Sequence, residues 1–375
     1  MTKGKKRLLV VMTSFCAEGT PVLALELCRR WRKMDIEPTV VTLSASPTDL
    51  EPEFSRENIT FHKMNLAGTG RSRYARMAAF TFRVCRELRP HALLSMPLGW
   101  HAFLAYGARL AGVGKVAAHV GNYPQRDTGS AFTKFRLLVQ AGRPVTTRLI
   151  CCSAYVQQGV VDHFRVPVGE TTVIYNGVDV GAISRRVAAA REGAKDRAAF
   201  VVGMVARLEG HKDQPTLVRA AKALKDAGRS VEVWIIGEGS RRPELERLIA
   251  ELHVGDSVKL LGVRRDIPEL LARLDAFAFA VKPDEGLGVA LVEAMAAGVP
   301  ILAADVGACR EVLDGGELGT LVAPADPEAL AHAIDRLRGN REAEALRIER
   351  ARRKAAEVFS IESMAESYAR CLALV

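Results

Sequence analysis

Four charged side chains in the second half of the chain are spaced for work on a polyanionic, hydroxyl-bearing ligand. Arg207 and Lys212 lie in VARLEGHKD, directly after an apolar run that reads as a strand. Two cations at the carboxyl end of a strand, next to a helix start, form a clamp for a diphosphate. Glu285 and Glu293 lie in DEGLGVALVEAMAAGVP, on either side of a Gly-Leu-Gly turn. The turn leads into a helix expected to start near Gly288 and stop at Gly298, with Pro300 beyond. Gly286 and Gly288 let a ligand approach the backbone, and the N–H groups at a helix start favour an anion. Glu293 falls in the second turn, and its side chain tilts back toward the helix start. It therefore reaches the region of Glu285, and paired carboxylates accept hydrogen bonds from vicinal hydroxyls of a ribose or hexose.

Two further residues join this set. Gly19, in AEGTP, sits at the first strand-to-helix turn and offers another helix N-terminus to a phosphate. His119 ends the strand-like run KVAAHV and is followed by Gly121-Asn122. A strand end is where it would hydrogen-bond a sugar hydroxyl or assist catalysis. Two other features read as decoys. Gly237-x-Gly239 has Arg242 where a dinucleotide fingerprint needs its third glycine. Asp305 also ends a strand, but no second carboxylate at ligand spacing supports a metal there.

The elements that must position these residues alternate along the chain. RLLVVMT at 7–13 precedes a helix opening at Thr20-Pro21. PTVVTL, NITFHKM, HALLSM, KVAAHV and RLICCS read as further strands, with helices at 72–88, 100–111 and 154–163 between them. The pattern restarts near Ala198 with AFVVGMVA and continues through VEVWIIG, SVKLLG, AFAFAV and VPILAAD. The fold class is α/β, with two doubly wound, Rossmann-like parallel-sheet domains facing a central cleft. The expected boundaries are 1–180 for the first domain and 181–197 for a polar Ala/Gly-rich linker. The second domain covers 198–355, and 356–375 form a C-terminal helix packing back on the first domain.

Composition sets the remaining bounds. A chain of 375 residues is long for one core. It is 49% hydrophobic and 26% charged, with a net charge of +10. The basic excess sits early: residues 1–110 hold 17 Lys and Arg against 9 Asp and Glu. Such a domain favours an anionic partner. Seven cysteines without a CxxC pair argue against a disulfide framework or a zinc site and for a reducing compartment. No apolar run reaches 18 residues, so no spanning helix is expected, and Leu8–Met12 is too short for a signal peptide. Between 71 and 89, Arg71, Arg73, Arg76, Arg83, Arg86 and Arg89 alternate with aromatic and aliphatic residues. One reading of this stretch is a basic amphipathic helix in peripheral contact with an anionic membrane. The other is a sheet-covering helix with a solvated face. Nucleic-acid binding is disfavoured, because no recognised motif is present and only 6% of residues are aromatic.

Taken together, VIYNGVD (173–179), VARLEGHKD (205–213), IIGEGSRRPELE (235–246), VKLLGVRRDIPELL (258–271) and the 285–313 segment resemble the family-four retaining, nucleotide-sugar-dependent glycosyltransferases of GT-B fold. The resemblance is strongest over 150–325. It implies that Arg207 and Lys212 bind the donor diphosphate and that Glu293 holds the nucleotide ribose. Glu285 would contact the donor sugar, and Gly286, Leu287, Gly288 and Val289 would offer backbone N–H groups. His119 would line the donor-sugar site, and the first domain would bind the acceptor. Catalysis would then involve Glu285, His119, Arg207 and Lys212, with no metal and no cofactor beyond the donor, a UDP- or GDP-sugar. The acceptor would be a glycan, a glycolipid or another lipid-linked molecule in cell-surface polysaccharide or lipopolysaccharide synthesis. The location would be cytoplasmic, with peripheral contact at the inner face of the cytoplasmic membrane. The first strand-to-helix turn departs from the family's Gly-Gly, reading Glu18-Gly19-Thr20, and Gly307-Ala308 stands where the family has a later Gly-Gly. The alternatives are a natural-product glycosyltransferase, for which the residues give no separate signature, and a nucleotide-sugar epimerase or phosphorylase sharing the architecture. An epimerase needs a base for a C2 proton, and no cluster supplies one.

Overall fold

The structure is a computed structural model and describes residues 5–17, 19–66, 70–124, 129–192, 199–340 and 344–375. Residues 1–4, Glu18, residues 67–69, 125–128, 193–198 and 341–343 lie outside the described residues, as does the side chain of Arg71. The chain divides into two compact units. One runs to Gly177 and takes in Ile361–Val375; the other is Val178–Ser360.

The first unit holds strands β1 (Lys6–Met12), β2 (Ile36–Thr42), β3 (Thr60–Lys63), β4 (Ala92–Ser95), β5 (Lys115–Val120), β6 (Arg148–Cys151) and β7 (Thr171–Val173). They form a parallel sheet in the order β3-β2-β1-β4-β5-β6-β7. Leu8 to Met12 are all buried. A strand covered on both faces reads as such a continuous apolar run. Its helices are α1 (Gly19–Lys33), α2 (Glu51–Arg56), α3 (Arg73–Leu88), α4 (His101–Leu110), α5 (Ser130–Gly142) and α6 (Ala154–Phe164).

The second unit holds helices α7 (Val180–Glu192), α8 (Gln214–Asp226), α9 (Arg242–Glu251), α10 (Ile267–Leu271), α11 (Val289–Ala297), α12 (Gly307–Val312), α13 (Pro327–Gly339) and α14 (Ala345–Val358). Strands β8 (Phe200–Val205), β9 (Val231–Ile236), β10 (Val258–Gly262), β11 (Ala276–Phe279), β12 (Ile301–Ala304) and β13 (Thr320–Val322) pair in parallel in the order β10-β9-β8-β11-β12-β13. Chain order reverses between β1 and β4 in the first sheet, and between β8 and β11 in the second. Those switch points are where open parallel sheets bind ligands.

Two boundaries differ from the sequence reading. Most of the segment expected as linker, 181–197, is helix α7, which buries Ile183 and Val187 within the second unit. Its Arg- and Ala-rich composition hid a one-sided apolar stripe four residues apart. The C-terminal helix α15 (Ile361–Cys371) begins five residues later than expected, because 356–358 still belong to α14. Helix α15 buries Ile361, Met364, Ala365, Tyr368 and Ala369, an i, i+3, i+4, i+7, i+8 stripe, in the same core as Trp31. Each of the larger side chains contributes about 1.5–3 kcal/mol by burial. The Trp31 indole N–H donates to the Ala365 carbonyl at 3.0 Å, fixing the helix along α1.

Candidate functional site

In the second unit the loops after β8 and β11, neighbours at the switch point, are laced together. Asp213 N–H donates to Ala280 C=O at 2.9 Å, and Lys282 N–H donates to His211 C=O at 3.1 Å. Lys212 lies opposite Val281 in an antiparallel bridge. This lacing carries the Lys212 ammonium to the Glu285 carboxylate, where Nζ donates to Oε2. The side chains are only 12% and 10% exposed, respectively. The same ammonium lies 5.0 Å from the centre of the Phe279 ring. Glu285 Oε1 accepts from the Gly286 N–H at 3.2 Å. A buried ion pair gains little net stability, because desolvating both charges offsets their attraction. Its position at a switch point points to function.

Arg207 is exposed, and its backbone is held from two sides. Its carbonyl accepts from Gln214 Nε2 at 2.8 Å. On the other side, Ala206 N–H donates to Ile236 C=O at 3.0 Å, and Leu208 N–H donates to Glu238 C=O at 2.9 Å. These contacts explain the glycines that mimic a dinucleotide fingerprint. A Cβ on Gly237 would sit 2.0 Å from the Ala206 carbonyl oxygen, and one on Gly239 would sit 2.4 Å from that of Leu208. The glycines let the loop after β9 press against the backbone carrying Arg207. The Ser240 N–H and hydroxyl, both donating to Glu209, hold that carboxyl below its usual range.

Helix α11 starts at Val289 and ends at Ala297, flanked by Gly288 at φ 84° and Gly298 at φ 65°. Gly288 is required twice over, by its left-handed backbone and because a Cβ there would lie 2.7 Å from the Phe279 ring. The residue at the cap position is itself Gly288, which has no side chain to cap the helix start. Gly286, Leu287 and Gly288 are buried, and Val289 is half-buried. Helix α11 is apolar except for Glu293, which is half-buried. Burial pushes the Glu293 carboxyl up to about 7.

The first unit carries the other two candidates. Gly19 opens α1, and a Cβ there would meet no atom within 4 Å, so no local packing requires glycine. His119, near the end of β5, is 2% exposed. Its Nδ1 lies 2.9 Å from the hydroxyl of Tyr368 on α15. Burial lowers its pKa to about 4, so the ring is neutral near pH 7. The structure thus brings Lys212, Glu285, the α11 start and the Arg207 loop together in one unit, and places Gly19 and His119 in the other. Sequence reasoning missed Phe279, Gln214 and Tyr368. Nothing in the pattern of AFAFAV marks which aromatic lies under a lysine. Among the described residues, no group of three or more His, Cys, Asp and Glu could hold a metal ion.

Comparison with known proteins agrees with this architecture. Residues 188–354 match the family model described as Glycosyl transferases group 1, and residues 17–182 match that described as Glycosyltransferase Family 4. The chain is 27% identical over 358 residues to a D-inositol 3-phosphate glycosyltransferase of Salinispora arenicola, covering 86% of this chain and 79% of that protein. It is 26% identical to the putative glycosyltransferase EpsF of Bacillus subtilis, covering 84% of this chain and 83% of that protein. Among solved structures, Anabaena Alr3699/HepE in complex with UDP-glucose superposes with a TM-score of 0.85 at 21% identity, over 98% of this chain and 100% of that one. Sucrose-phosphate synthase of Thermosynechococcus elongatus superposes at 0.81 with 17% identity, over 98% of each chain. The protein is an α/β protein of GT-B fold. It belongs to the glycosyltransferases whose N-terminal half is the family-four domain and whose C-terminal half is the group-1 domain.

Proposed function

We propose that the protein transfers a sugar, with retention of anomeric configuration and without a metal ion, from a nucleoside-diphosphate sugar to an acceptor hydroxyl. The observation that carries this reading is Lys212 paired to Glu285 at the β8/β11 switch point, with Arg207 on the same loop. A lysine ammonium has three donors. One serves Glu285, and the others serve the donor diphosphate. Arg207 and the N-terminal end of α11 add positive charge where the leaving group develops its own. Glu285 then accepts from a sugar hydroxyl, Glu293 from the ribose, and His119 hydrogen-bonds a sugar hydroxyl. For retention, same-face attack fits this chemistry, with the departing phosphate oxygen taking the acceptor proton. UDP is the first base to test, because HepE shares the fold and has been solved with UDP-glucose; GDP is the second. A glycan, a glycolipid or another lipid-linked molecule in polysaccharide or lipopolysaccharide synthesis is the proposed acceptor.

The test is a thermal-shift panel of UDP, GDP, ADP, dTDP, NAD and an RNA oligomer, run beside an Arg207→Ala/Lys212→Ala double variant. One nucleoside diphosphate, at 100 times its Kd, should stabilise the wild type by about 2.7 kcal/mol and leave the variant unmoved. A response to NAD or RNA alone would overturn the assignment.

Peripheral membrane contact is a second part of the proposal. No helix among the described residues is long and apolar enough to cross a membrane. Helix α3 exposes Arg76, Phe82, Arg83 and Arg86 along one side. Phe82 is 40% exposed, and Leu110 of α4, which packs on α3, is 75% exposed. Apolar tips among arginines suit an anionic lipid surface. Wild-type protein should co-sediment with phosphatidylglycerol vesicles at 50 mM salt. An Arg76→Glu/Arg83→Glu/Arg86→Glu variant should stay in the supernatant, and equal sedimentation would end this idea.

A further inference from the structure

We propose that Tyr368 is a positioning residue for His119. Its hydroxyl donates to Nδ1, fixes the hydrogen on Nε2, and so turns Nε2 into a donor toward a substrate hydroxyl oxygen. The inference rests on the reading of His119 given above and goes beyond it, because the C-terminal helix thereby acquires a part in the reaction.

The argument starts from burial. Tyr368 is 0% exposed and His119 is 2% exposed. Burial raises the phenol well above its usual pKa and lowers the imidazole to about 4. Near pH 7, both groups are therefore neutral. A neutral imidazole has one nitrogen that donates and one that accepts, whereas the phenol has one hydrogen to give. Among the described residues, the Tyr368 hydroxyl makes its side-chain hydrogen bond to His119 Nδ1, at 2.9 Å. If Nδ1 carried the hydrogen, the phenol would accept and its own O–H would point into the core without an acceptor. That arrangement is disfavoured in a buried place. The phenol therefore donates, Nδ1 accepts, and the hydrogen sits on Nε2.

The environment holds both groups in this relation. The Tyr368 ring lies 6.2 Å from that of Trp31, whose indole N–H is tied to Ala365 one turn earlier on the same helix. Met364, one turn earlier on α15, and Leu372, just beyond the end of the helix, pack in the same core as Tyr368. At the other edge of the imidazole, a Cβ on Gly121 would lie 3.0 Å from Nε2. The missing side chain there leaves the donor edge uncovered on that side. A ring locked through one nitrogen, with its tautomer set by that bond, presents the other nitrogen in a fixed direction.

The test has two readouts. Selective 15N-histidine labelling, with His119 assigned by its loss in a His119→Gln sample, reports the tautomer of the wild type directly. The expected spectrum at pH 7 is a neutral ring protonated on Nε2; protonation on Nδ1 would overturn the inference whatever the activity does. The second readout is nucleoside-diphosphate release from UDP-glucose, or from GDP-mannose where the panel selects GDP. Tyr368→Phe keeps the ring and removes the donor. It should lower kcat about tenfold, leave KM for the donor within about twofold, and mix the two tautomers. In a His119→Ala background, the same substitution should cost nothing further. Additive losses, or a Tyr368→Phe protein with wild-type kcat, would reduce Tyr368 to a packing residue. If His119→Ala itself keeps full turnover, the role given to His119 above has failed. The spectrum separately decides whether Tyr368 sets the ring.

Discussion

Replacing Lys212 with methionine lowers nucleoside-diphosphate release by about 10²–10³-fold and also destabilises the second unit. The first effect follows from removing one preorganised positive donor from a leaving group that gains charge as the bond breaks. The second follows from burial. Glu285 is 8% exposed, and with its ammonium gone an ionised carboxylate is left in the protein with the Gly286 N–H as its side-chain partner. Breaking a buried pair from one side costs about 3–5 kcal/mol. Glu285→Gln removes the other charge and should also lose turnover. The double variant separates the two effects. Lys212→Met/Glu285→Gln should recover most of the stability in urea melts and none of the activity. A double variant as unstable as the single ones would show that the pair is not coupled as the geometry has it. A single variant with wild-type turnover would remove Lys212 from the donor site.

Stability between pH 4 and 8 should be set by opposed limbs, because burial shifts two histidines and the half-buried Glu293 in opposite directions. His101 and His119 both fall to about 4. The unfolded chain binds those protons near pH 6.5, while the folded chain does not until about pH 4. Their contribution is therefore fully present above pH 6.5 and is lost as pH falls toward 4, by up to about 3 kcal/mol each. His101 has a clear structural reason. The Thr146 hydroxyl donates to the Gly142 carbonyl at 2.7 Å, so His101 Nε2, 2.8 Å from that oxygen, must donate to it. His101 Nδ1 is buried and has no partner among the described residues, so a proton added there is unsatisfied. Glu293 acts the other way. Its folded value of about 7 lies above the ordinary carboxyl range, so stability is lost as pH rises from about 4.5 to 7, again by up to about 3 kcal/mol. Urea unfolding across this range should show His101→Gln flattening the acid limb by up to one proton. Glu293→Gln should stabilise the free protein at pH 8 and leave it unchanged at pH 4. An unchanged slope in the first variant, or no gain in the second, would refute the corresponding assignment. A gain in stability for Glu293→Gln together with weaker donor binding would mean that the residue is kept for its ligand.

The sequence by itself determined the two sheets, the helix between Gly288 and Gly298, and the chemistry available on the loops after β8 and β11. These are local properties. Apolar runs bounded by turn residues make covered strands, and a left-handed glycine on each side of VALVEAMAA leaves little choice about where α11 begins and ends. Glu293 stands out for a similar reason, being the only charge on an otherwise apolar helix. Only the tertiary structure decided which of these groups meet. Lys212 and Glu285 are 73 residues apart, and they meet because strand order puts β8 beside β11, a pairing that no periodicity encodes. His119 and Tyr368 are separated by 249 residues. They meet because the α15 stripe fits the groove beside α1, and a one-dimensional pattern shows such a stripe without showing its partner. Helix α7 was misread for the same reason, since the stripe of Ile183 and Val187 gains meaning only when a surface exists to bury it. Side-chain type and spacing set what each residue is able to do. Burial and neighbours, which depend on the whole packed chain, set its charge, its tautomer and its partner.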